Sequence, residues 1–295
     1  MRKAIAVVLS LSSFFICYPI HSQTQDEVRQ SDFVIKSLST SGLITILTPD
    51  GQTTLLSSGP FLRVGRLPTV AEFRCYHREN KKFWSPFTVY DATLITRRAE
   101  EKATTSQIYT HFEFSRPDDQ SQVVQLEIWM DISAQGRIDV NYQLTPINAS
   151  DYVLELGISF LVPKSMRTFV WRGKGPASSY AVMSGMKTEG IYRYTSTEIY
   201  FSGNKSNVDI AAIFDKDGNG IGVVGDAENI ACDLVDEGIL LSHNVLVSGF
   251  STELELTDET IDIKQVETAH GSFVLVPLSA SNWPQSFREL LLTQE

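Results

Sequence analysis

Phe169-Val170-Trp171-Arg172-Gly173-Lys174-Gly175-Pro176, running on through Ala177-Ser178-Ser179-Tyr180, is the stretch from which the chain is read. Phe169 and Trp171 alternate with Thr168 and Arg172, the period of a half-buried strand. Two glycines and a proline then stop the strand, because glycine tolerates backbone angles other residues resist and proline removes a donor. A large aromatic, an arginine, a lysine and a tyrosine around a rigid turn suit two arrangements. One is a sugar-stacking surface of Trp171, Arg172, Lys174 and Tyr180, with the rings on the apolar face of a pyranose and the cations donating to hydroxyls. The other is a packed corner of a β-sandwich, with Trp171 in the core and Arg172 solvated.

Outward from that stretch the pattern stays β. Leu43-Ile44-Thr45-Ile46-Leu47 precedes Pro49-Asp50-Gly51, and an apolar run ending at Leu56 follows. An Asp-Gly between two such runs is a hairpin signal. Further strands are expected at 87–95, 107–114, 123–132, 137–144, 153–162, 168–172, 191–194, 209–214, 220–224, 253–256 and 272–277. Residues 62–84, with their charges and prolines, read as an irregular connection. Helical periodicity is confined to 285–292. Many strands and almost no helix predict a large antiparallel β-supersandwich, undivided over 33–295.

The first residues read differently. Met1-Arg2-Lys3 followed by an apolar run to Ile16, then Tyr18-Pro19 and Ser22, has the layout of a secretory signal peptide cleaved after Ser22. That predicts a secreted or periplasmic protein with a loose polar leader at 23–32. A lipid anchor on Cys17 is the alternative, although Ile16 stands where a small residue is expected. The apolar run is too short for a permanent span, and no other stretch suggests one. Losing Arg2 and Lys3 moves the net charge from −10 to −12. An acidic chain repels phosphate backbones, so nucleic acid is not an expected partner. Cys75 and Cys232 remain, enough for one disulfide in an oxidising compartment or for two buried thiols.

The residues also carry a resemblance. Ser41-Gly42-Leu43-Ile44 to Asp50-Gly51, Asp131-Ile132 to Tyr142, Leu154-Glu155-Leu156-Gly157 to Leu161, and Trp171, Gly173, Gly175-Pro176, Tyr180 come in one order. The hairpin Phe214-Asp215-Lys216-Asp217-Gly218-Asn219-Gly220 to Gly225-Asp226 follows. The chain resembles the C-terminal domain of family 2 β-galactosidases, a supersandwich related to galactose mutarotases. The resemblance implies an all-β fold, a carbohydrate-related role and, as partner, a glycoside hydrolase catalytic subunit or a bound sugar. In that family the acid/base and nucleophile glutamates belong to a separate barrel, and the acid/base follows an asparagine. No Asn-Glu pair occurs here, and Ala181-Val182-Met183 replaces the family's proline, aspartate and arginine after the Tyr180 position. The expected function is therefore non-catalytic, as a secreted sugar-binding or glycosidase-associated domain. A mutarotase-like or diverged glycosidase activity and the small subunit of a split β-galactosidase are the alternatives.

Two smaller constellations complete the reading. Glu267 and His270 are the carboxylate and histidine closest to a mutarotase-like acid/base pair, or simply loop residues at a strand entrance. Asp215, Asp217 and Asn219 match the first half of a calcium loop. Their flanks read as strands, however, and Asp-Gly and Asn-Gly are equally what a plain hairpin demands. No cofactor is expected beyond that possible Ca²⁺.

Overall fold

The computed structural model describes residues 25–28, 32–66, 84, 91–101, 105–178, 187–249, 261–281 and 283–292. Strands β1 (Gln25–Val28), β2 (Val34–Leu38), β3 (Ile44–Leu47) and β4 (Thr54–Leu56) form an antiparallel sheet in that order. β5 (Ser58–Arg63), β6 (Asp91–Glu101), β7 (Thr105–Ser115), β8 (Val123–Ser133), β9 (Ile138–Ile147), β10 (Tyr152–Val153), β11 (Glu155–Val162) and β12 (Thr168–Gly175) follow. Then come β13 (Thr188–Thr195), β14 (Gly203–Phe214), β15 (Gly220–Leu234), β16 (Ile239–Val247), β17 (Ile261–Asp262) and β18 (Ala269–Leu278). Helix α1 (Gln285–Leu292) ends the described chain.

A 12-stranded antiparallel sheet runs β13-β12-β14-β15-β18-β9-β8-β7-β6, and it forks at β15. Gly220–Val224 pairs with β18, whereas Asn229–Leu234 pairs with β16, which leads on to β11 and β5. The fork doubles the sheet back on itself, so the inward faces of β7, β8, β9 and β18 meet those of β11 and β16. Tyr142 and His243, and Phe160 and Phe273, touch across that interior.

The alternation read from the sequence sets the inward faces. Ile108, Leu126, Ile128, Met130, Val140 and Leu144 point in and are fully buried, with polar residues between them pointing out. Burying each such side chain contributes about 1.5–3 kcal/mol. β11 differs, being buried along nearly its whole length. Leu156, Ile158, Phe160 and Val162 fill the core, and Glu155, Gly157 and Ser159 lie on the reverse side. A second apolar layer forms where α1 packs Phe287 and Leu290 with Trp283 against Val170, Ile210, Ala212 and Phe214. Gly222 permits that contact, since a Cβ there would sit 2.4 Å from the Phe287 ring.

The all-β supersandwich and the helix at 285–292 are as expected from the sequence. Two local expectations need correction. Gln25–Val28, read as loose leader, pairs with β2 as an edge strand; backbone pairing needs no apolar side chains. Arg63, read as part of an irregular connection, ends β5. Of the two states left open for Cys232, it takes that of a buried free thiol. Residues 1–24 with Cys17, Cys75 itself, and the strand expected at 253–256 lie outside the described residues.

Candidate functional site

The reverse side of β11, β16 and the second half of β15 is polar, and the register shows why these residues share it. Ser159, Ser242, Ala231 and Asn204 stand directly opposite one another on β11, β16, β15 and β14. In the next row Arg63 on β5 stands opposite Gly157, which stands opposite Asn244, which stands opposite Asn229. On the other side of the first row, two residues along the same strands, Leu161, Leu240 and Asp233 align. Side chains two apart share a face, so Glu155 joins the set.

Arg63 is its centre. Its Nε donates to Glu155 Oε2 at 2.6 Å and its Nη1 to Ser242 Oγ at 3.2 Å. Nη2 pairs with both Glu155 and Asp233, the latter at 2.8 Å. Arg66 approaches Glu155 Oε1 at 3.9 Å. Ser159 and Ser242 share a hydrogen bond of 2.8 Å. Asn244 donates to Asn204, which donates to Asn229, both at 3.1 Å. Arg63, Glu155, Asn204, Ser242 and Asn244 are buried, while the Asp233 side chain is 30% exposed and opens the cluster outward.

Burial works against charge on Arg63, yet Glu155 and Asp233 outweigh it and the guanidinium stays charged. Burial pushes the Glu155 carboxyl up, while Arg63 pulls it back. Among the described residues, Arg63 and Arg66 face Glu155 and Asp233. Asn244 Oδ1 and Ser248 Oγ are buried with no hydrogen-bond partner among the described residues.

The carboxylates of Glu155 and Asp233 share one guanidinium nitrogen and so lie close together, as the pair of a retaining glycosidase must. Arg63 fills the space between them, however. A scissile bond has no room there, and both groups are held in one ion-paired state.

A histidine–carboxylate pair exists on the opposite, core side. His243 Nε2 lies 2.8 Å from Glu228 Oε2 and Nδ1 lies 2.7 Å from the Tyr142 hydroxyl. The His243 ring stacks on Phe273 at 4.5 Å and is 2% exposed, so a sugar ring has no access to it. Glu267 and His270, the pair singled out from sequence, are both exposed, and His270 points outward from β18.

The residues expected to stack on a sugar do not form one surface. Trp171 is fully buried; its faces meet Phe169 at 5.2 Å and Tyr192 at 5.3 Å, and its Nε1 donates to Lys174 O. Arg172 points to the other side of β12 and pairs with Asp209 on β14. Lys174 follows it there, partly exposed, and Tyr180 lies outside the described residues. Of the two arrangements open to this stretch, the packed corner is the one adopted.

Asp215, Asp217 and Asn219 close a hairpin. Asp215 Oδ1 accepts from the amides of Asp217 and Asn219, both at 2.9 Å. Asn219 Oδ1 accepts from the Ala280 amide, and Asp217 pairs with Lys216. Among the described residues, no group of three or more His, Cys, Asp or Glu is placed to hold a metal. No helix among them is long and apolar enough to cross a membrane.

Sequence reasoning missed Arg63, Glu155 and Asp233. The available signal was Glu155 itself, a lone carboxylate within the apolar run 153–162, where a charge demands a buried partner.

The profile of the β-galactosidase small chain matches residues 29–275. The chain belongs to that family. No curated protein matches it in sequence. Among solved structures, this member of the small-chain family is similar to a protein assigned as an aldose 1-epimerase from Escherichia coli K12, with a TM-score of 0.47 and 10% identity. That match covers 89% of this chain and 100% of the other. A galactose 1-epimerase from Lactobacillus acidophilus NCFM follows, with a TM-score of 0.45, 7% identity and coverage of 88% and 96%. A glycoside hydrolase family 97 enzyme from Pseudoalteromonas sp. strain K8 gives 0.39 and 8%, over 87% of this chain and 36% of that one. No chemistry is transferred from these likenesses.

Proposed function

We infer that this β-galactosidase small-chain relative is an exported, non-catalytic carbohydrate-binding domain whose sugar site is the partly exposed edge of the Arg63 cluster, at Asp233 and Asn229. The observation that carries the reading is the Arg63–Glu155–Asp233 cluster beside the Asn204–Asn229–Asn244 ladder, a buried polar network that opens to solvent at Asp233 and Asn229. Charge-assisted donors and acceptors in fixed positions suit the hydroxyls of a neutral sugar. Asp233 and Asn229, the more exposed members, are where the ligand enters.

Cleavage is disfavoured because Arg63 occupies the gap between the carboxylates and His243 is shut into the core. The decisive experiment pairs calorimetric titration with mono- and disaccharides and an assay of sugar release from β-galactosides. Binding without release, weakened at least about tenfold by Asp233→Asn, supports the reading. Release of sugar that Glu155→Gln abolishes would replace it with a glycosidase.

A second reading is the small subunit of a split β-galactosidase. It is favoured by the family profile and by the apolar pair Ile199 and Tyr200, 86% and 39% exposed. It predicts that the chain restores activity to a barrel-bearing β-galactosidase chain lacking this domain, and that Ile199→Asp prevents it.

A further inference from the structure

We propose that the outward face of β7, β8 and β9 is a second carbohydrate platform, shaped for an extended neutral glycan rather than a single sugar. It lies on the opposite side of the sandwich from the Arg63 cluster. Tyr142 and His243 meet across the core between the two faces, and each face is the reverse of the strand bearing one of those residues.

The register lays the platform out in rows. Arg98, Tyr109, Trp129, Asn141 and Ser272 stand opposite one another on β6, β7, β8, β9 and β18. Thr96, His111, Glu127, Gln143 and His270 form the adjoining row. Five strands at ~4.8 Å spacing make each row about 19 Å long, enough for several linked pyranose rings. Tyr109 and Trp129 are partly exposed neighbours with ring centroids 5.3 Å apart and planes tilted by 39°. Two adjacent, mutually tilted rings match a twisted glycan chain better than one flat ring does.

Hydrogen bonds hold this surface ready. The Tyr109 hydroxyl donates to Glu127 Oε1 at 2.6 Å, and Gln143 Nε2 donates to Glu127 Oε2. Gln107 Nε2 donates to Asp131 Oδ1 at 2.7 Å. The tyrosine ring and the amides are thus fixed before any ligand arrives, which lowers the ordering cost of binding. Exposed Asn141 stands beside the indole with donor and acceptor to offer a hydroxyl. Asp139 is paired with Arg137, and Glu113, Glu127 and Asp131 outnumber Arg98, which leaves the face acidic, against uronates, sulfated glycans and anionic lipid.

Native affinity electrophoresis of the full mature chain tests this, in gels containing mixed-linkage β-glucan, β-galactan or polygalacturonate. The expected result is retardation by a neutral polysaccharide, none by polygalacturonate, and an affinity at least about tenfold weaker in Trp129→Ala. Asn141→Arg, which shades the indole from outside without emptying the sheet, is expected to do the same. Asp233→Asn is expected to leave retardation intact, separating this face from the Arg63 site. The proposal is overturned if no neutral polysaccharide retards the wild type, or if folded Asn141→Arg binds as tightly as wild type. It is equally overturned if Asp233→Asn abolishes retardation, or if the face proves to be a self-association surface, with a wild-type dimer that Asn141→Arg dissociates.

Discussion

Arg63 and Glu155 meet on strands that pair with each other, 92 residues apart in sequence, with Nε 2.6 Å from Oε2 and both side chains almost wholly out of solvent. Neither charge is tolerable in that place alone. Glu155→Gln is expected to cost about 3 kcal/mol, because it leaves a buried guanidinium short of a partner. The double variant Arg63→Met/Glu155→Leu is expected to regain most of that loss while binding no sugar. Urea denaturation read alongside calorimetric titration checks both. Additive losses in the double variant would show that the two side chains do not act as a pair.

Lys205 gives the fold a pH signature. Burial lowers its ammonium pKa to about 8; Nζ donates to Ser202 O at 2.9 Å and lies 5.0 Å from the centre of the Trp171 ring. The folded value lies below the ordinary 10.5, so between about pH 8 and 10.5 the unfolded chain binds more protons. Stability contributed by this group therefore rises with pH across that window and is lowest below it. The full difference is about 3 kcal/mol. Lys205→Met is expected to remove this rise. Denaturation midpoints of wild type and variant that stay parallel from pH 7.5 to 10 would refute the assignment.

Trp171→Ala separates the two arrangements open to the stretch 169–180. A core tryptophan stacked between Phe169 and Tyr192 loses about 3–5 kcal/mol on truncation. A surface platform would lose sugar affinity with little change in stability. Thermal unfolding is expected to show the large loss, with sugar affinity unchanged wherever the variant remains folded.

Gly157 occupies the row between Arg63 and Asn244. A Cβ there would lie 2.1 Å from the His243 carbonyl oxygen and 2.8 Å from Asn244 Cα. Both are backbone atoms and have little room to give. Gly157→Ala is expected to destabilise by about 1–3 kcal/mol and to weaken sugar binding by displacing Asn244. Hydrogen exchange should show the loss of protection confined to β11 and β16 first. Unchanged exchange in those two strands would count against the close approach.

The strands themselves were legible because side-chain alternation is a local property. Val124, Leu126, Ile128 and Met130 announce a one-faced strand whatever lies elsewhere in the chain. Asp217-Gly218-Asn219 likewise announces a hairpin, and its backbone amides are spent on Asp215 within the turn. The site was not legible, because its members are scattered. Arg63 falls in what reads as an irregular connection, Glu155 in an apolar run, and Asp233 beside a turn. Trp171 misled for the same reason: alternation shows that Trp171 and Arg172 face opposite ways but not which way faces water.

The sequence by itself determined an antiparallel β protein and its family, since periodicity, turn residues and ordered short motifs need no knowledge of distant contacts. Only the tertiary structure decided that β15 forks, that Trp171 goes inward, and that Arg63, Glu155 and Asp233 come together. Those outcomes depend on strand register, and register is set by which faces find each other in the folded chain.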